Sequence, residues 1–255
     1  MDQSLALGVD VGATGMKANL VDCRNGMLMG ERFRIPTPDP ATPKAMASVF
    51  KKLVKNFNWK GPVGVGFPAI MNNGVAESAS NIDKSWIGTN VEKLFAEQCE
   101  GPVKVINDAD AAGVAEMAFG QGMEEPDVVL LLTIGTGIGS ALFIDGKLVP
   151  NTELGHLIYK GASYEKYVAN SVRKELDLTW EQWGKRFNEY LQHIEFLFSP
   201  QLIILGGGSS KASRFNQYRN LLKTKARIVP ARYENNAGII GSAMAAYKSK
   251  AAKVG

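Results

Sequence analysis

A short β-branched run, Val103 to Ile106, ends at Asn107-Asp108, and an alanine-rich helix follows at once. A carboxylate between a strand and a helix stands where ligands bind in open α/β sheets. Asp108 there can accept a proton from a bound hydroxyl. It can equally cap the helix, because Asp is a favoured N-cap. Two glycine-rich turns carry a second chemistry. Gly12-Ala13-Thr14-Gly15 follows a strand ending near Asp10 and precedes Lys17; Gly135-Thr136-Gly137-Ile138-Gly139 follows another strand. Glycine lets backbone N–H groups converge on a phosphate with no Cβ in the way. Lys17 adds a point charge for phosphate, and Asp10 can hold a hydrated Mg²⁺. The alternative for each loop is a tight hairpin that uses glycine for positive φ. Neither loop is a dinucleotide fingerprint, since strand-like sequence follows where a helix is needed. A third run, Gly206-Gly207-Gly208, also follows a strand and can bring backbone close to a ligand.

The elements that position these residues are readable from periodicity. Leu5, Leu7, Val9 and Val11 alternate as a strand, and a second extended run spans Met16 to Val21. Asn25-Gly26 is a hairpin signal, with a third strand expected from Met27 to Ile35. Pro36, Pro38, Pro40 and Pro43 then break regular structure. Met46, Val49, Phe50, Leu53, Val54 and Phe57 form one face of a helix, with Pro43 in its first turn. Val63, Val65 and Phe67 alternate as a strand, Asn72 to Thr89 is polar and turn-rich, and Asn90 caps a short helix through Leu94 and Phe95. Trp86, in that polar stretch, either lines a cleft or anchors the loop.

The second half repeats the order. Val128 to Ile134 and Ser140 to Ile144 read as strands around the second glycine turn; Asp145-Gly146 is again a hairpin signal, and Lys147 to Val149 completes a meander. Trp180, Trp183, Phe187, Leu191, Ile194 and Phe198 mark a long core-facing helix that also holds His193, read as structural or solvent-facing. Strands at Leu202 to Leu205 and Arg227 to Ala231 and a closing helix of small residues from Ala237 to Tyr247 follow. This is a diverged duplication of one α/β unit, too long to be a solenoid repeat. Two such halves facing each other leave a cleft.

Composition narrows the class. The chain has 255 residues, 45% hydrophobic and 21% charged, with a net charge of +4. That is ordinary globular composition with length for one large or two modest domains. Apolar runs such as Val128 to Leu132 are too short to span a bilayer, and residues 1–9 show no signal-peptide pattern. Cys23 and Cys99 are too few for a disulfide scaffold or a zinc knuckle, and His156 and His193 too few for a His-rich metal site. A reducing cytoplasm is the simplest setting.

The ordered motifs resemble those of the ROK sugar kinases. They are Asp10 to Lys17, Asn107-Asp108-Ala109-Asp110-Ala111, Thr133 to Gly139 and Glu153-Leu154-Gly155-His156. The stretches Asn81 to Asn90 and Pro150-Asn151-Thr152-Glu153 are similar to the polyphosphate glucokinase branch. The likeness runs from about residue 5 to 247. It implies a duplicated actin/hexokinase-like (ribonuclease H-like) α/β fold, two domains flanking a sugar/phosphate cleft. These are a small N-terminal domain, 1–106, joined by the closing helix at about 237–250, and a larger one, 107–236. It implies phosphoryl transfer from inorganic polyphosphate, with ATP as a further donor, to the 6-hydroxyl of glucose, with Mg²⁺ as cofactor. By match to the motifs, Asp108 is the general base. Asn81, Asn107, Glu153, His156 and Glu165 are sugar-hydroxyl ligands. Asp10, Gly12, Thr14, Gly15 and Lys17, with Thr136, Gly137 and Gly139, form the phosphate loops, and Gly206 to Gly208 line the nucleotide side.

The resemblance also implies a homodimer. Many ROK kinases carry a cysteine-rich zinc motif after the histidine; Leu157 to Tyr164 has no cysteine, so no zinc site is expected. Ala13 and Ala69 stand where glycine is common, which bears on donor preference and on the sugar loop. The rival enzyme reading is an ATP-dependent hexose or amino-sugar kinase. The rival from another class is a non-catalytic sugar sensor or repressor. Repressors of the family carry an N-terminal DNA-binding helix-turn-helix, and the first strand beginning by Leu5 leaves no room for one, so no nucleic-acid or membrane partner is expected.

Overall fold

The computed structural model describes residues 4–80 and 82–251; Asn81, a proposed sugar ligand, lies outside the described residues. Strands β1 (Leu5–Gly12) and β2 (Gly15–Asp22) form an antiparallel pair whose ladder closes at Gly12 opposite Gly15. The expected strand from Met27 to Ile35 is two strands, β3 (Met27–Leu28) and β4 (Phe33–Ile35), each pairing with β2. Gly30 interrupts them with a φ of 98°, outside the extended region. Helix α1 (Pro43–Asn56) starts at Thr42, whose hydroxyl accepts the Ala45 N–H, and buries the face read from its spacing. Strand β5 (Val63–Phe67) follows, then a small hairpin of β6 (Met71–Asn72) and β7 (Val75–Ala76). Trp86 is fully buried, donates its indole N–H to the Ala41 carbonyl at 2.8 Å and packs on Phe67, so it is a loop anchor. Helix α2 (Val91–Ala96) is capped by Asn90. Strand β8 (Val103–Asn107) runs directly into helix α3 (Asp108–Phe119).

In the second half, β9 (Val128–Ile134), β10 (Ile138–Ile144) and β11 (Lys147–Val149) make the expected meander. Asp145 and Gly146 both have positive φ, 49° and 72°, as a two-residue primed turn requires. A hairpin of β12 (Ile158–Tyr159) and β13 (Ala162–Ser163) follows. Then come α4 (Glu165–Val168), α5 (Asn170–Glu175) and α6 (Trp180–Phe198). A reciprocal capping box between Thr179 and Gln182 starts α6. Strand β14 (Leu202–Gly206), α7 (Ala212–Phe215), β15 (Arg227–Pro230) and α8 (Ala237–Ala251) complete the chain.

The two main sheets have one topology. The first runs β3-β2-β1-β5-β8 and the second β11-β10-β9-β14-β15, each an antiparallel meander continued by two parallel strands. This doubled arrangement is the actin/hexokinase-like fold. The chain divides into a unit up to Phe119 that includes Asn236 onward, and a unit Gly120–Asn235. The division falls after α3, where the sequence placed it at 106. The reason is α8, which packs on α3 and on strands β1 and β5. Its backbone lies so close that a Cβ on Gly8 would strike the Ile239 carbonyl, on Gly64 the Ser242 carbonyl, and on Gly241 the Ala111 carbonyl. In the other unit α6 supplies the core. Trp183, Phe187, Tyr190, Leu191 and Ile194 are buried with Leu130, Leu132, Ile203 and Leu205 of the sheet.

Candidate active site

Asn107 and Asp108 sit at the junction of β8 and α3. The Asn107 Oδ1 accepts the N–H groups of Ala109 at 2.8 Å and Asp110 at 3.1 Å, and its Nδ2 donates to the Ala69 carbonyl at 3.1 Å. Asn107 therefore caps α3 and ties it to the segment after β5. Of the two roles open to Asp108, the cap falls mainly to its neighbour, although its own Oδ1 also accepts the Ala109 N–H at 2.9 Å. Asp108 is half-buried, while Asn107 is buried.

On the first glycine turn, Ala13 and Thr14 are exposed. Asp10 and Lys17 are directly opposite in the β1–β2 ladder, which puts them on one face, and they form an ion pair at 3.2 Å. The turn is held from outside. Thr37 donates its hydroxyl to the Gly12 carbonyl at 2.6 Å, and Arg34 donates Nη2 to the Thr14 carbonyl at 2.6 Å.

The second turn is built alike. Ser171 of α5 donates its N–H to the Gly135 carbonyl and its hydroxyl to the Thr136 carbonyl. A Cβ on Gly137 would strike the Glu165 carboxylate, whose Oε2 accepts the Ile138 N–H at 3.2 Å. Gly12, Gly15, Gly135, Gly137 and Gly139 are not among the positive-φ residues. At Gly15 and Gly137 the missing side chain makes room for Arg34 and Glu165, and none of the five is needed for left-handed backbone.

Glu153, His156 and Glu165 come together. The His156 Nδ1 lies 3.3 Å from Glu153 Oε2, and its Nε2 lies 3.8 Å from Glu165 Oε1. The short helical turn Leu154–His156 is fixed to β10 by Ser140, which donates to the Thr152 carbonyl and accepts the Leu154 N–H. Burial raises the Glu153 carboxyl above its ordinary value; His156 opposes that shift and the Glu165 carboxylate adds to it. One imidazole between two partly shielded carboxylates makes a row of acceptors with a donor, which suits adjacent sugar hydroxyls. After His156, Tyr159 stacks on Tyr164 at 4.2 Å, and the Tyr159 and Tyr167 hydroxyls both donate to Glu189. His193 is half-buried beside Tyr164.

Gly206 to Gly208 turn at the end of β14. Gly207 has a φ of 81°, and a Cβ there would strike the Ile134 backbone, so this turn lies against the start of the Gly135 loop. Ser209 donates to the Ile134 carbonyl, and Arg214 to the Gly208 carbonyl. Sequence reasoning missed Arg34, Thr37, Ser140 and Ser171. Each acts on a residue many positions away, and no local pattern marks such a contact.

The chain matches the ROK family model over residues 6–164. It is 44% identical over 244 residues to the polyphosphate glucokinase of Mycobacterium tuberculosis, spanning 95% of this chain and 91% of that one. Its structure matches that of the inorganic polyphosphate/ATP-glucomannokinase from Arthrobacter sp. strain KM with a TM-score of 0.89 at 45% identity, over 94% of this chain and 97% of the other. The ROK family glucokinase from Streptomyces griseus, solved with glucose and AMPPNP, shares the fold at a TM-score of 0.81 and 22% identity, over 96% and 99% of the two chains. By the family model and these matches, the chain belongs to the ROK family.

Proposed function

We propose that the chain is a glucokinase that transfers a phosphoryl group from inorganic polyphosphate, and also from ATP, to the 6-hydroxyl of glucose. The observation that carries this reading is the placement of Asp108 at the junction of β8 and α3, directly after Asn107, whose side chain accepts two N–H groups of the helix. The likeness to a polyphosphate glucokinase and a polyphosphate/ATP-glucomannokinase at 44% and 45% identity supports the donor. The reading as an ATP-dependent hexose or amino-sugar kinase is less favoured by these matches.

In this reading Glu153, His156 and Glu165 hold sugar hydroxyls, joined by Asn107 through the Nδ2 hydrogen not given to Ala69 and by Asn81. Asp108 accepts the 6-hydroxyl proton as that oxygen forms its bond to phosphorus and the bond to the donor's bridging oxygen breaks. Lys17 and the N–H groups of the two glycine turns neutralise and orient the phosphates, and the Gly206–Gly208 turn takes the nucleotide side. A kinase of this family uses a divalent cation with its donor, and we take it to be Mg²⁺. Mg²⁺ keeps most of its waters and needs only one or two protein carboxylates beside phosphate oxygens. Asp10 fits that role through water, as the partly exposed carboxylate beside Lys17. When bound, the cation offsets the negative charge that builds on the transferring group.

We further place the protein in the cytoplasm as a homodimer without nucleic-acid partners, on the strength of the family resemblance. Among the described residues, no helix is long and apolar enough to cross a membrane. The test is glucose phosphorylation with Mg²⁺ and either polyphosphate or ATP, with mannose as a second acceptor. Turnover with polyphosphate establishes the donor. Turnover with ATP alone keeps the Asp108 chemistry and removes the polyphosphate claim, and no turnover with either donor removes the glucokinase reading.

A further inference from the structure

We propose that Arg34 is a second ligand for the donor phosphates, acting with Lys17 at the Gly12–Gly15 turn; this deepens the kinase reading above and rests on it. Three strands line up one charged row. Asp10 is directly opposite Lys17 in the β1–β2 ladder, and Lys17 is directly opposite Arg34 in the β2–β4 ladder. Residues directly opposite share a sheet face, and like charges so placed repel. The row therefore reads negative, positive, positive. Asp10 neutralises Lys17 at 3.2 Å. Among the described residues no carboxylate pairs with Arg34, whose hydrogen-bond partner is the neutral Thr14 carbonyl at 2.6 Å. The row lacks one negative charge, and it lacks it at the glycine turn.

The turn is shaped for this arginine. A Cβ on Gly15 would land on the Arg34 guanidinium, so the missing side chain is what allows the cation to lie there. Gly15 is not a positive-φ residue, so backbone conformation does not explain the glycine. Thr37, three residues on, fixes the other end of the turn through the Gly12 carbonyl. Arg34 is exposed, and a guanidinium has five N–H donors in a planar fork, of which the Thr14 carbonyl uses one. The remaining donors match the oxygens of a phosphate chain, which bind such a fork in pairs. A polyphosphate and a nucleoside triphosphate share that chemistry.

The experiment compares wild type, Arg34→Gln and Arg34→Lys in donor KM, glucose KM, kcat and melting temperature, with polyphosphate and with ATP in separate arms. It is paired with calorimetric titration of tripolyphosphate without glucose. Loss of a charge-assisted contact predicts a rise of about tenfold or more in donor KM for Arg34→Gln, with glucose KM within about twofold and the melting temperature unchanged. Arg34→Lys should recover part of that loss, because it keeps the charge without the fork. A rise in both arms assigns Arg34 to the phosphates the donors share, and a rise in the polyphosphate arm alone to the longer chain. An unchanged donor KM overturns the proposal. So does a melting temperature or glucose KM that moves as much as the donor KM, because Arg34 would then only clasp the turn. The titration stands apart from turnover: weaker tripolyphosphate binding by Arg34→Gln supports the proposal even in a chain that phosphorylates no sugar. Equal binding by the two, or none by wild type, overturns it.

Discussion

Asn107 accepts two N–H groups at the start of α3, from Ala109 and Asp110, so the helix that carries Asp108 is capped chiefly by the residue before it. In the proposed reading, stability and chemistry are divided between these two adjacent side chains. Asp108→Asn should lower kcat by about 10²–10⁴-fold, the span assigned to a general base, while glucose affinity and the melting temperature stay close to wild type. Coupled turnover assays with calorimetric glucose titration check this, and near-normal turnover would remove Asp108 as the base.

Asn107 should register in stability. Asn107→Ala loses the cap and strands the Ala69 carbonyl, which predicts a loss of about 1–3 kcal/mol in unfolding free energy. Asn107→Ser, which can still cap, should recover part of that loss. Denaturant unfolding of the three proteins separates these outcomes; equal midpoints would contradict the capping role.

A single methyl group tests the link between the second glycine turn and Glu165, a proposed sugar ligand. Gly137→Ala would push the Glu165 carboxylate off the Ile138 N–H. The expected result is a rise of about tenfold in glucose KM, the scale of one charged hydrogen bond. Steady-state kinetics with glucose varied at saturating donor would show it, and an unchanged glucose KM would detach Glu165 from the sugar.

Glu153 gives a pH dependence with a definite sign. Burial raises its carboxyl above the ordinary 4.5, so protonation on acidification begins at a higher pH than for an exposed glutamate. If the ionised form accepts a sugar hydroxyl, as proposed, glucose KM should climb as pH falls, with a midpoint above 4.5. The linkage to stability has the opposite sense. The folded chain holds this proton more tightly than the unfolded one, so the contribution is present at acid pH and is lost as pH rises through the folded pKa. Glu153→Gln should flatten the KM profile, and an unaltered profile would assign the titration elsewhere.

Metal dependence follows from the role proposed for Asp10. Chelation with EDTA should abolish turnover, and Mg²⁺ without Zn²⁺ should restore it. Asp10→Asn should raise the Mg²⁺ concentration needed for half-maximal rate by about tenfold. Stoichiometric zinc in the purified protein, measured by elemental analysis, would contradict this.

Much of this was legible in the sequence because it is local. The alternation of Leu5 to Val11, the spacing of Met46 to Phe57 and the Asp145-Gly146 turn each carry their physical cause within a few residues. Misses arise where the cause is distant or hidden. Gly30 splits an otherwise continuous extended run. Helix α3 is buried on several sides, from Ala109 to Glu116, and shows no apolar stripe to reveal that it packs on α8. Arg34 reaches a carbonyl 20 residues before it and Ser171 one 35 residues before it, and neither spacing leaves a mark on the sequence. For the glycines of the two turns it is the alternative reading, a hairpin built on positive φ, that the backbone does not bear out.

The glycine-lined seat of α8 orders events in time as well as space. The first unit is assembled from two stretches of chain, with the whole of Gly120–Asn235 translated between them. Since domains fold largely as their residues emerge during synthesis, β1, β5 and α3 must wait for a helix made after the inserted unit. Until then Gly8 and Gly64 present open sheet where Ile239 and Ser242 will lie. The inserted unit can therefore finish folding before the unit that encloses it in sequence, and α8 is the latch that closes a surface left open while Gly120–Asn235 is made.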